Sequence, residues 1–144
     1  MKKKNYIKQS GYPGDAAKMA YEKGYFVEAI QILHAWFENQ ARELVMLVGA
    51  VRFKADLDDT WDLTDSFSFH DCIKILFIMN QISKTEYEAF SELNRVRNRM
   101  IHDIYKEPCD KEYPGIRRKD FDRVFEESLK QVWFFSEKST MLVG

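Results

Sequence analysis

Between Tyr25 and Phe53 the apolar residues Phe26, Ile30, Leu33, Phe37, Leu44, Val48 and Val51 recur at spacings of three, four and seven. That repeat lays one stripe along a long amphipathic helix. No Pro interrupts it, and its first Gly is Gly49. Upstream, the turn-prone Gly11-Tyr12-Pro13-Gly14 closes a tail over residues 1–14, and Asp15 can cap a short helix through Gly24. Downstream, residues 54–66, KADLDDTWDLTDS, lose the periodicity and read as an acidic, solvated loop. Ser68 can cap the next helix, whose Phe69, Ile73, Leu76, Phe77 and Ile78 make it mostly buried; Asp71 adds charge at its positive end. Ser83 and Glu86 have the S-x-x-E spacing of a capping box, so another helix starts there, runs through Lys106 and stops near Pro108. The loop CDKEYPGIRR follows. Asp120 then opens a last helix with Phe121, Val124, Phe125, Leu129, Val132 and Phe135 on one side. The pattern predicts an all-α, antiparallel bundle of four or five helices. It forms one domain over residues 15–138, with a C-terminal tail at 139–144.

Composition agrees with that picture. In 144 residues there are only 6 Gly and 3 Pro, too little turn punctuation for many short strands. A hydrophobic share of 45% against 31% charged fits a chain with a real core. The net charge of -1 makes the whole surface no magnet for polyanions, so any such site needs local clustering. Cys72 and Cys109 stand far apart, with no CxxC and no Cys/His pair, which argues against a disulfide framework or a zinc site. The basic start, MKKKNYIKQSGYPGD, lacks the apolar stretch of a signal peptide, and no apolar run can span a bilayer. The expected setting is cytoplasmic, without membrane contact.

Candidate chemistry gathers at residues 94–102, NRVRNRMIH. On a wheel of about 100° per residue, Tyr87, Phe90, Leu93, Met100, Ile101 and Ile104 form an apolar face. Glu88, Glu92, Arg95, Arg99 and Asp103 oppose it. Arg97 falls near the middle of the apolar face, Asn94 at one edge, and Asn98 and His102 beyond that edge. A guanidinium keeps its charge on burial, and an unpaired buried charge costs several kcal/mol. Arg97 therefore meets a carboxylate from another helix or lines a polar cleft. In the first case it is a structural ion-pair partner and His102 a boundary histidine. In the second, His supplies a proton carrier near neutral pH and Arg a planar cation for phosphate. On an ideal helix Arg97 and His102 point about 140° apart and about 7.5 Å along the axis. Two copies related by a two-fold axis, or a distorted helix, would bring their tips together.

The stretch Arg97-Asn98-Arg99-Met100-Ile101-His102 resembles the signature of the HEPN superfamily (higher eukaryotes and prokaryotes nucleotide-binding). That signature is an Arg, four to six residues, then a His, with a polar residue, often Asn, directly after the Arg. The resemblance implies a helical bundle that dimerises, with two motifs at the interface. It further implies a metal-independent endoribonuclease, with toxins of toxin–antitoxin and other defence systems among the family's members. Inactive members bind RNA, nucleotides or proteins instead. Arg97 and His102 would then be catalytic and Asn98 would orient the site, with a ribose 2′-hydroxyl attacking the neighbouring phosphate. Implied partners are a second copy, RNA, and an antitoxin or nucleotidyltransferase. One nucleotidyltransferase-paired subfamily carries a Tyr two residues after the His. Here Tyr105 is three residues on, which leaves its modification in doubt.

Other candidates are weaker. Arg95, Arg99, Arg117 and Arg118 are assigned as RNA-backbone contacts, against the alternative of solvated faces. His34, Glu38 and Arg42, spaced by four, read as a surface ladder of charged side chains. Gln40 is expected to hydrogen-bond Arg97 or a backbone group, and His70 to be exposed. No His-Glu-x-x-His, Gly-rich phosphate loop or Gly-x-Ser-x-Gly elbow occurs. Neither a metal nor another cofactor is expected.

Overall fold

The computed structural model describes residues 6–7, 11–103 and 115–144, and among these every regular element is helical. Helix α1 spans Pro13–Glu22, α2 Phe26–Phe53, α3 Leu57–Thr64, α4 Phe69–Ile78, α5 Lys84–His102, α6 Arg118–Lys130 and α7 Phe134–Val143. None is long and apolar enough to cross a membrane.

Helix α2 is the axis of the fold. At 28 residues it is about 42 Å long, and the other six helices all pack against it. Ala29 and Ala41 are fully buried along its stripe and let neighbouring backbones approach. The centre of the core is a knot of four phenylalanines from four helices. Phe37 of α2 lies 5.4 Å from Phe90 of α5 and 6.1 Å from Phe135 of α7, and Phe69 of α4 lies 6.0 Å from Phe90. Each fully buried ring of this size contributes about 2–3 kcal/mol. A second aromatic group joins α1 to α6: Tyr21 stacks on Phe125 at 4.5 Å, and its hydroxyl donates to Asp122.

Local chemistry sets the helix ends. Gly24, at φ +83°, lets the chain leave α1 through a left-handed residue, with Gly24 N–H bonding Tyr21 C=O and Tyr25 N–H bonding Ala20 C=O. Asn80, at φ 57°, closes α4 in the same way. Ser68 caps α4 by accepting from Asp71 N–H, and Ser83 and Glu86 form the expected capping box.

Several expectations are corrected. There are seven helices among the described residues rather than four or five. α1 starts at Pro13, whose missing N–H costs nothing in a first turn, so Asp15 lies inside the helix rather than capping it. Residues 54–66 are not all loop. The Asp56 side chain accepts from Asp59 N–H and starts α3, with Asp58 and Asp59 at the positive end. These acids serve helix initiation as well as solvation. The last helix begins at Arg118 and breaks after Lys130. At the break the Val132 carbonyl accepts from Trp36 Nε1–H at 2.6 Å, which satisfies a group the helix would otherwise hold. α7 then runs through residues 139–143, with Ser139 buried. Helix α5 is described to His102; Ile104, Tyr105, Lys106, Pro108 and Cys109 lie outside the described residues.

Candidate functional site

A polar seam runs along α2 where α4 and α5 cross it. Gln31 and His34 face α5, while Glu38 and Arg42 face the start of α4. Arg97 reaches back from α5, and its Nε–H donates to Gln31 Oε1 at 2.9 Å. Its Nη1 donates to Asn98 Oδ1, also at 2.9 Å. One turn earlier, Asn94 Oδ1 lies 2.9 Å from His34 Nε2. A carboxamide oxygen only accepts, so this bond fixes the neutral His34 tautomer with its proton on Nε2. Glu38 Oε2 accepts from Phe69 N–H, the first amide of α4, and Oε1 pairs with Arg42 at 3.1 Å. Arg42 Nε–H in turn donates to the Phe67 carbonyl.

The sequence expectations change in two places here. His34 is not part of a surface ladder: it is 5% exposed, on the same stripe as Ile30, Leu33 and Phe37, with its ring edge-on to Phe69 at 5.3 Å. Burial holds its imidazole below the usual histidine range, the nearby Arg97 charge adds to that, and the Asn94 bond and Glu38 oppose it. Gln40 does not meet Arg97; it accepts from Ser136 at 2.8 Å. Gln31 takes that role instead. It is polar at a boundary position of a helix whose stripe is otherwise apolar, a signal legible only once Arg97 is known to face it.

Arg97 is half-buried, and among the described residues no carboxylate pairs with it. Of the five N–H donors of a guanidinium, two are used there, both by neutral amides. The cation is held in place without being neutralised.

Beside it, an open groove of about 480 Å³ lies between α5 and the start of α4. Asn98 and His102 line it together, one turn apart. Arg95 and Arg99 stand at its rim, both exposed. Arg99 lies 3.7 Å from Asp103, and Arg95 lies 3.5 Å from Glu92, which is bound more closely by Arg123 at 2.6 Å. His102 is exposed, and among the described residues its side chain has no hydrogen-bond partner. His70 comes to the same groove from α4, half-buried rather than exposed as expected, and Ser91 and Asn94 form its floor. Arg97 does not line the groove. Asn98 stands between, touching Arg97 through Oδ1 and facing the groove itself.

Arg117 and Arg118 are elsewhere. Arg118 lies over the Phe26 ring at 4.3 Å and pairs with Asp122 at 2.7 Å, and Arg117 precedes α6 on an exposed surface. Among the described residues no three His, Cys, Asp or Glu side chains are grouped to hold a metal ion. Comparisons with protein-family models, with curated proteins and with solved structures found no match.

Proposed function

We propose that the groove is the centre of a metal-independent endoribonuclease of the HEPN type, working as a homodimer in the cytoplasm. The observation that carries this is the guanidinium of Arg97, fixed by Gln31 and Asn98 with no carboxylate to quench it among the described residues. An arginine paired with an acid has its field largely cancelled. One held by neutral amides keeps its field available for an incoming anion. Asn98 extends that field. With Oδ1 occupied by Arg97, its NH₂ group is left to donate to a phosphate oxygen in the groove. His102 transfers a proton during attack of the 2′-hydroxyl, and the Arg97–Asn98 pair stabilises charge building on the phosphoryl oxygens. Arg95 and Arg99 hold flanking phosphates. A second copy across the groove would bring its own Arg97 toward the shared phosphate.

The test uses purified protein and mixed structured and unstructured RNA in EDTA. Products ending in 2′,3′-cyclic phosphate are expected. His102→Ala and Arg97→Lys should each lower the rate by about 100-fold or more, with unchanged helical content. Undiminished cleavage in both folded variants would refute the assignment. One observation favours a second function, a non-catalytic module binding RNA, nucleotide or protein: Arg97 stays out of the groove lining. RNA binding without any cleavage would select it.

A further inference from the structure

Cleavage by 2′-hydroxyl attack moves two protons, one off the nucleophile and one onto the leaving 5′-oxygen. The HEPN-like motif supplies one imidazole. The groove contains two, because the first turn of α4 carries His70 into the cavity that His102 enters from the end of α5. Toward the other end of the groove, the buried Ser91 hydroxyl has no hydrogen-bond partner among the described residues.

On the basis of the function proposed above, we propose that His70 is a second catalytic residue, acting as the base that takes the 2′-hydroxyl proton while His102 acts as the acid. His70 stands in the first turn of α4 and His102 in the last turn of α5, so the two rings reach the groove from different helices. The other charged groups around the pair are Arg95, Arg99 and Asp103 from α5, Asp71 from α4, and the Glu38–Arg42 pair from α2 at the start of α4.

The step balances without a further reactant. The ribose O2′–H proton passes to His70 as the O2′–P bond forms. The P–O5′ bond breaks, and the His102 imidazolium gives its proton to O5′. The products are a 2′,3′-cyclic phosphate and a 5′-hydroxyl, and the two rings return to their starting states by exchange with water.

The experiment compares wild type, His70→Gln, His70→Asn and His102→Gln on two substrates. One is a short RNA. The other is the same RNA with sulfur replacing the bridging 5′-oxygen at one linkage, whose thiolate leaves without being protonated. His70→Gln and His70→Asn should lose about 100-fold or more on both substrates. His102→Gln should lose as much on the oxygen substrate and recover to within about tenfold of wild type on the sulfur one. If either folded His70 variant cleaves within about threefold of wild type while His102→Gln is impaired, His70 has no catalytic role and the endoribonuclease assignment stands. If sulfur rescues the His70 variants instead of His102→Gln, the roles are overturned. If wild type cleaves neither substrate, both proposals fall.

Discussion

His34 joins the core to the candidate site, and its loss can be worked out in parts. The ring is 5% exposed, edge-on to Phe69, with Nε2–H donated to Asn94. His34→Ala removes the buried ring, which costs about 2 kcal/mol in transfer and cavity terms. It also leaves Asn94 Oδ1 without its partner. A dry orphaned carbonyl costs about 1–3 kcal/mol, and the low end applies because Asn94 borders the open groove and water can reach it. The expected loss is about 3 kcal/mol, and Asn94→Ala should lose about 1 kcal/mol. A double-mutant cycle between them should give a coupling of about 1 kcal/mol. Equilibrium urea unfolding measures all three. The same pair makes a pH prediction. Burial holds the folded imidazole below its unfolded range, so below about pH 6.5 the unfolded chain binds the proton that the folded one refuses. Stability contributed by His34 is therefore full at pH 7.5 and declines as pH falls toward the folded value. His34→Gln should lack this component, so the gap between wild type and variant should narrow at pH 5. A coupling below about 0.3 kcal/mol, or an unchanged gap across pH, would refute a buried neutral His34 bonded to Asn94.

Cys72 is fully buried, and burial pushes its thiol up to about 12. In a Cys109→Ser background a disulfide reagent at pH 8 should therefore react with native protein at least about 1,000-fold more slowly than with urea-unfolded protein; comparable rates would show an accessible thiol. Phe69→Ala should destabilise by about 3–5 kcal/mol, since the ring contacts Phe37, Phe90, Phe135 and His34 at once, and a loss below about 1 kcal/mol in the same unfolding assay would contradict the four-ring core.

Periodicity carried most of the fold because it reports burial on one element at a time. The stripe on α2 and the caps at Ser68 and Ser83 are local facts, settled within a few residues of sequence. What it could not carry was any feature that depends on a neighbouring helix. The break between α6 and α7 needs Trp36, nearly a hundred residues away in sequence, to receive the Val132 carbonyl. α3 was hidden because aspartate serves equally as a loop residue and as a helix cap, and only the Asp56–Asp59 bond separates the two. The site divides along the same line. Arg97 stood out because a guanidinium on an apolar stripe violates a local rule, and Asn98 and His102 joined it through the resemblance to the HEPN motif. Among the described residues it meets neither a carboxylate nor Gln40. The structure supplies an amide, Gln31, which no spacing rule singles out, and which holds a charge in place without cancelling it. The sequence reads His70 as an exposed residue for the same reason: a lone histidine in a first turn carries no pattern of its own. Only the crossing of α4 and α5 places it on the groove that His102 also lines. A site assembled across helices is thus legible in sequence only through its locally improbable members, and the residues that complete it look ordinary until the packing is known.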